Sequence, residues 1–116
     1  LNRSVLIIDD DPSLQTVIQV YLEGQGYEAI PAGTGAGAVE LLNQRTFNII
    51  LLDLGLPDTD GFFLLSRMRG MTQSPIIVVS GKEDTTDKVV ALEMGADDYM
   101  TKPFEMRELA ARIKAV

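Results

Sequence analysis

Three short runs of uninterrupted apolar residues constrain this chain more than any other feature: Val5-Leu6-Ile7-Ile8, Ile49-Ile50-Leu51-Leu52 and Ile76-Ile77-Val78-Val79. Runs of this length, rich in β-branched residues and lacking polar alternation, suit strands buried on both faces, as in a parallel sheet covered by helices. Weaker strand segments lie around Tyr27 to Ile30 and Asp97 to Met100. Between the strands the apolar residues recur with helical period. Leu14, Val17, Ile18, Tyr21 and Leu22 share one face of a first helix, started by Asp11-Pro12 and stopped by Gly24 or Gly26. Ala36 to Asn43 forms a second, with Val39 and Leu42 inward. Gly61, Leu64, Leu65 and Met68 mark a third, ending near Gly70. Val89, Leu92 and Met94 mark a fourth, with Gly95 as its stop, and Met106, Leu109, Ala110 and Ile113 mark a fifth that runs to the chain end. Five such alternations predict right-handed βαβ units around one parallel sheet, an α/β fold.

Composition narrows the chemistry. At 116 residues the chain fits a single domain with one core. It has no Cys, which excludes disulfides, thiolate catalysis and Cys-ligated metals, and no His, which excludes a Ser-His-Asp triad, a His-ligated metal and a phosphohistidine carrier. Carboxylates, hydroxyls and Lys remain, and carboxylates pair naturally with oxygen-loving cations. No apolar run approaches the ~20 residues that span a bilayer. Leu1-Asn2-Arg3-Ser4 leads directly into the first strand with no secretory signal, and the missing initiator Met is expected to mark a fragment. A net charge of −7 repels a phosphate backbone, so direct nucleic-acid binding is not expected. The simpler reading of that charge is solubility. The Gly33-Thr34-Gly35-Ala36-Gly37 stretch lacks the Lys-Ser/Thr ending of a P-loop and is not the first βα turn, so it reads as a permissive loop and helix start.

In an open α/β sheet, ligands bind outside the carboxyl ends of the strands. Asp9 and Asp10 end the first strand, Asp53 the third and Ser80 the fourth, while Lys102 follows the fifth. Each has a plainer reading alone: a solvated strand end, a capping turn, a Ser-Gly turn pair, a surface Lys. Tyr99, on these grounds, is a packing residue. Together they place three carboxylates, a hydroxyl and an ammonium at one edge. Crowded carboxylates raise one another's pKa or demand a counterion. Mg²⁺ answers that demand and leaves coordination positions for phosphate oxygens. The set is what phosphoryl transfer to an aspartate requires: a carboxylate nucleophile, with a metal and a Lys to stabilise the transferring group.

Five motifs then stand in order: Ile7-Ile8-Asp9-Asp10-Asp11, Leu52-Asp53-Leu54-Gly55-Leu56-Pro57, Asp60-Gly61, Val79-Ser80-Gly81, and Gly95-Ala96-Asp97-Asp98-Tyr99 followed by Thr101-Lys102-Pro103-Phe104. Over its whole length the chain resembles the receiver domain of two-component response regulators, most closely the OmpR/PhoB type. The resemblance implies a flavodoxin-like (βα)5 sandwich with strand order 2-1-3-4-5 and one receiver domain over residues 1–116. The winged-helix DNA-binding effector domain usual in that subfamily is expected to be missing. It further implies that Asp53 is the phosphoacceptor, and that Asp10, Asp53 and the Gly55 backbone carbonyl ligate Mg²⁺, with Asp9 acting through water. Lys102 would pair with Asp53 and then with the phosphoryl group, and the Lys102-Pro103 bond would be cis. Ser80 would be the switch hydroxyl, and Tyr99 the aromatic that turns inward after it.

By the same resemblance the chain is a phosphoacceptor switch rather than a turnover enzyme, cytoplasmic, and served by a histidine kinase. Its fourth helix, fifth strand and fifth helix would form a homodimer on phosphorylation and so control transcription, DNA being reached only through the missing domain. Lys88 would pair with Glu108, and Asp98 with Arg112, across that interface. Asp97 would join with a basic residue past the C-terminus, and Leu92 and Ala110 would form the apolar patch. The simpler reading of these charges is a solvated helix surface. Two positions depart from the family's commoner pattern: Ser80 stands for Thr, and Gly55 stands where a larger residue, often Met, is usual. A haloacid-dehalogenase-type phosphatase uses similar groups, but its acidic pair comes last and it needs an acid-base Asp where Gly55 stands. A non-phosphorylated module of the same fold would be expected to lose the acceptor or the acidic pair. A flavodoxin-type binder would need a Ser/Thr-rich phosphate cradle in place of Asp9-Asp10-Asp11.

Overall fold

The computed structural model describes residues 3–81 and 85–116. Five strands and five helices alternate: β1 (Ser4–Ile8), α1 (Pro12–Gly24), β2 (Glu28–Ala32), α2 (Gly35–Gln44), β3 (Ile49–Leu52), α3 (Gly61–Met71), β4 (Ile76–Ser80), α4 (Thr85–Glu93), β5 (Asp98–Thr101) and α5 (Met106–Ala115). All pairings are parallel, in the order β2-β1-β3-β4-β5.

The three apolar runs are the three central strands. Their side chains alternate between two cores: Leu6, Ile8, Ile50, Leu52, Ile76 and Val78 pack under α2, α3 and α4. Val5, Ile7, Ile49, Leu51, Ile77 and Val79 pack under α1 and α5. Both faces are covered, so nothing selects for polar alternation, and each fully buried side chain contributes about 1.5–3 kcal/mol. The weaker strands are the sheet's two edges. β2 tolerates Pro31 because it pairs on one side only.

The helix starts follow local chemistry. Asp11 caps α1 by accepting from the Ser13 and Leu14 N–H groups, with Pro12 at the first helical position. Thr34 caps α2 through the Gly37 N–H, so that helix begins at Gly35 within the glycine-rich stretch. Gly95 ends the α4 region with φ +116°, a left-handed backbone that suits glycine.

Three expectations are corrected. Val17 is exposed on α1, because the buried stripe is centred on Ile18 and Leu22. Val89 and Leu92 face outward on α4, which is buried through the small Ala91. The end of α3 at Met71 agrees with the expected end near Gly70.

Candidate functional site

The backbone ladder continues one residue past several strands at their carboxyl ends. The Asp9 N–H donates to the Ala32 carbonyl at 3.0 Å, the Asp53 N–H to Ile8 at 2.8 Å, and the Lys102 N–H to Ser80 at 2.8 Å. With Ile8 opposite Leu52 and Ser80 opposite Thr101, the register brings the predicted residues to one edge. Asp9, Asp53 and Ser80 are only 4%, 8% and 2% exposed, whereas Asp10 faces solvent.

Lys102 ties the cluster together. Its Nζ donates to Asp9 Oδ2 at 2.8 Å and lies 3.5 Å from Asp53 Oδ2. The expected partner was Asp53; the structure gives the shorter contact to Asp9. The other Asp9 oxygen accepts the Asp11 N–H at 2.9 Å, and Gln15 of α1 donates to the Asp9 carbonyl. The Lys102-Pro103 bond is cis. Burial pushes the Asp53 carboxyl above the ordinary carboxylate range; the Lys102 charge opposes this, the Asp9 charge adds to it, and the Gly55 N–H offsets part. Burial also acts to lower the Lys102 ammonium, but the Asp9 hydrogen bond and the charges of Asp53 and Asp9 outweigh it and raise its pKa. Lys102 therefore stays cationic at neutral pH.

Asp9, Asp10 and Asp53 can each offer an oxygen within 4.8 Å of the others. Hard carboxylate donors, two of them buried, fit a small divalent cation.

Several residues that shape this site escaped the sequence reading. Asp58 accepts the Gly35 N–H at 2.9 Å and the Ala36 N–H at 3.0 Å, so it fills the α2 N-terminus from the loop after β3. Those contacts hold its carboxyl below the ordinary range. Gly61 is buried against Leu54, where a Cβ would lie 2.3 Å from the Leu54 Cα. The Asp-Gly pair at 60 and 61 was visible as a motif, but its close approach was not.

The residues expected at an interface lie on α4, on β5 and just before it, and on α5, and the charges of Asp97, Asp98, Glu108 and Arg112 are engaged within the chain. Arg112 pairs with Asp98 at 2.9 Å and with Glu108 at 3.1 Å. Asp97 accepts from the Ile76 N–H at 2.8 Å and pairs with Arg69 at 3.3 Å. Lys88 and Leu92 are exposed, while Ala110 is largely covered by its own domain. Tyr99 was expected to turn inward, and here it already lies in the core under α2, α3 and α4, as the alternation of β5 dictates.

The chain matches the profile of the response regulator receiver domain over residues 5–114. The transcriptional regulatory protein KdpE of Mycobacterium tuberculosis is 46% identical over 111 residues, covering 96% of this chain and 49% of that protein. The TorCAD operon transcriptional regulatory protein TorR of Escherichia coli K12 is 42% identical over 110 residues, covering 95% and 48%. The chain thus spans about half the length of the curated relatives it matches. A response regulator from Burkholderia pseudomallei, solved with a phosphorylated aspartic acid, a calcium ion and citrate, has a TM-score of 0.91 at 26% identity, covering 97% of this chain and 66% of that one.

Proposed function

We propose, from the premise that this chain belongs to the response regulator receiver domain family, that Asp53 accepts a phosphoryl group from a phosphohistidine on a partner kinase. The observation that carries the proposal is the convergence of Asp53 and Lys102 with Asp9 and Asp10 at one sheet edge. The phosphorylated aspartate of the similar B. pseudomallei regulator supports it.

An Asp53 oxygen attacks phosphorus, the P–N bond breaks, and its electron pair returns to the kinase imidazole. Asp53 becomes an acyl phosphate. Lys102 shifts from the carboxylates to the phosphoryl oxygens, and the buried Ser80 hydroxyl donates to another of them. Mg²⁺ held by Asp10, Asp53 and the Gly55 carbonyl, with Asp9 behind water, would neutralise charge on the transferring group. The chain is a switch that organises its own phosphorylation and slow dephosphorylation. Because Tyr99 is already buried, phosphorylation retains its inward position while Ser80 moves toward the phosphoryl group; the loop expected to move with Ser80 lies largely outside the described residues. The output is a homodimer through α4, β5 and α5 that brings a linked DNA-binding domain to its sites, and the setting is cytoplasmic. Arg112 exchanges one of its own carboxylates for the partner's at that interface.

Intact mass after incubation with acetyl phosphate and Mg²⁺ tests the acceptor. A gain of one phosphoryl group in the parent and none in Asp53→Asn is expected; a gain in both would move the acceptor elsewhere. Sedimentation of the phosphorylated form tests the dimer, and an unchanged monomer mass would count against it.

A further inference from the structure

The loop between β3 and α3 carries the acceptor and the Gly55 peptide. Its two ends are fixed by close packing, since a Cβ on Gly61 would lie 2.3 Å from the Leu54 Cα and 2.5 Å from the Leu54 carbonyl oxygen. Asp60 then caps α3 by accepting the Phe62 N–H at 2.9 Å. The middle of the loop is held from outside. Asp58 Oδ1 accepts the Gly35 N–H at 2.9 Å and Oδ2 accepts the Ala36 N–H at 3.0 Å, a two-oxygen clasp on successive amides of α2. Thr34 serves the Gly37 N–H as the N-cap of α2, so Asp58 adds a tie from the loop to a helix that already has its own cap. Gly35 is buried, and a Cβ there would lie 2.5 Å from the Thr59 Cγ2. The loop is therefore seated directly on the start of α2.

We propose that Asp58 is a positioning residue for phosphoryl transfer: its clasp on Gly35 and Ala36 fixes the loop so that the Gly55 peptide faces Asp53 and the cation. This rests on the proposed role of Asp53. Two consecutive carboxylate–amide bonds leave the loop little freedom to rotate, and Gly55 sits beside the acceptor, where a Cβ on it would lie 3.8 Å from Asp53 Oδ2. Without the clasp the loop keeps its packed ends and the Thr59 contact but loses its polar tie to α2, and the Gly55 carbonyl loses its fixed direction. Groups that orient metal ligands from behind typically change affinity by about 10- to 100-fold when removed.

The test compares Asp58→Ala and Asp58→Asn with Thr34→Ala, which removes a helix cap and leaves the loop tie in place. Mg²⁺ affinity is measured by calorimetry, and phosphorylation by acetyl phosphate is followed as a function of Mg²⁺. Asp58→Ala is expected to weaken Mg²⁺ binding about tenfold and to slow phosphorylation at low Mg²⁺, with recovery at high Mg²⁺. Asp58→Asn keeps one acceptor oxygen and should fall between; it carries the test should the Ala variant fail to fold. The Gly55 amide resonance should move in the Asp58 variants and stay in place in Thr34→Ala. If folded Asp58 variants match Thr34→Ala in Mg²⁺ affinity, rate and Gly55 resonance, the clasp is only a helix cap and the positioning role is overturned. A parent that takes no phosphoryl group from acetyl phosphate or a kinase overturns the Asp53 reading instead.

Discussion

Lys102 Nζ lies 2.8 Å from Asp9 Oδ2 and 3.5 Å from Asp53 Oδ2, so one ammonium is shared by the carboxylate proposed to reach the cation through water and the proposed acceptor. A divalent cation arriving at the acidic cluster meets a charge already in place. Replacing Lys102 with Met should therefore have two opposite effects. Mg²⁺ should bind more tightly, because the competing charge is gone. Phosphorylation should slow about 10²-fold, the usual scale for losing one stabilising donor. Calorimetry with Mg²⁺ and a time course with acetyl phosphate measure the two; weaker Mg²⁺ binding in the variant would contradict the competition.

Asp53 is buried beside Asp9, and Lys102 compensates only in part for the crowding. The acceptor is thus retained against stability. At pH 7 and without Mg²⁺, Asp53→Asn should raise Tm by roughly 4 °C, the shift made by ~1 kcal/mol in a domain of this size. Added Mg²⁺ should raise the parent more than the variant and narrow the gap. Thermal melts of both proteins with and without Mg²⁺ check this, and a lower Tm in Asn would show that the carboxylate stabilises the fold.

The fold was legible where burial is symmetric. β3 begins and ends where its apolar run does, because Ile49 to Leu52 pack on both faces. The edge strands were less sharply drawn: β2 starts at Glu28 and β5 at Asp98, each one residue beyond the expected start, since an edge accepts polar residues and Pro. The site was legible because parallel strands end at a common edge, which collects Asp9, Asp53, Ser80 and Lys102 from distant parts of the chain. Contacts made by backbone amides were not. Asp58 binds Gly35 from 23 positions away, and an N–H carries no residue identity to read. Nor could spacing show whether Arg112 would meet Asp98 in its own chain or in another.

Asp58 makes a stability contribution with a definite pH window. Its folded pKa is depressed by the Gly35 and Ala36 N–H groups, so the native state holds its proton less tightly than the unfolded chain does. The contribution is complete above the ordinary value of 3.8 and is lost as pH falls through the lower folded value. The Tm difference between the parent and Asp58→Asn should stay level from about pH 7 to 5 and shrink below about pH 4. Melts across that range decide it. A gap that widened in acid would reverse the sign and remove the clasp as its source.

Gly55 places no side chain over the acceptor. A Cβ there would lie 3.8 Å from Asp53 Oδ2, an ordinary contact. Among the described residues left-handed φ values occur at Gly26 and Gly95, so the Gly55 backbone accepts a side chain without strain. Gly55→Met should fold with nearly unchanged Tm while placing an apolar chain over the acyl phosphate. Hydrolysis needs water in line with the P–O bond, and a covering side chain lowers its access. The phosphorylated form should then decay several-fold more slowly, at about the same Mg²⁺ affinity, because the carbonyl of residue 55 is retained. Decay of the phosphorylated mass after removal of acetyl phosphate measures the lifetime, and an unchanged rate would separate the size of residue 55 from the stability of the signal.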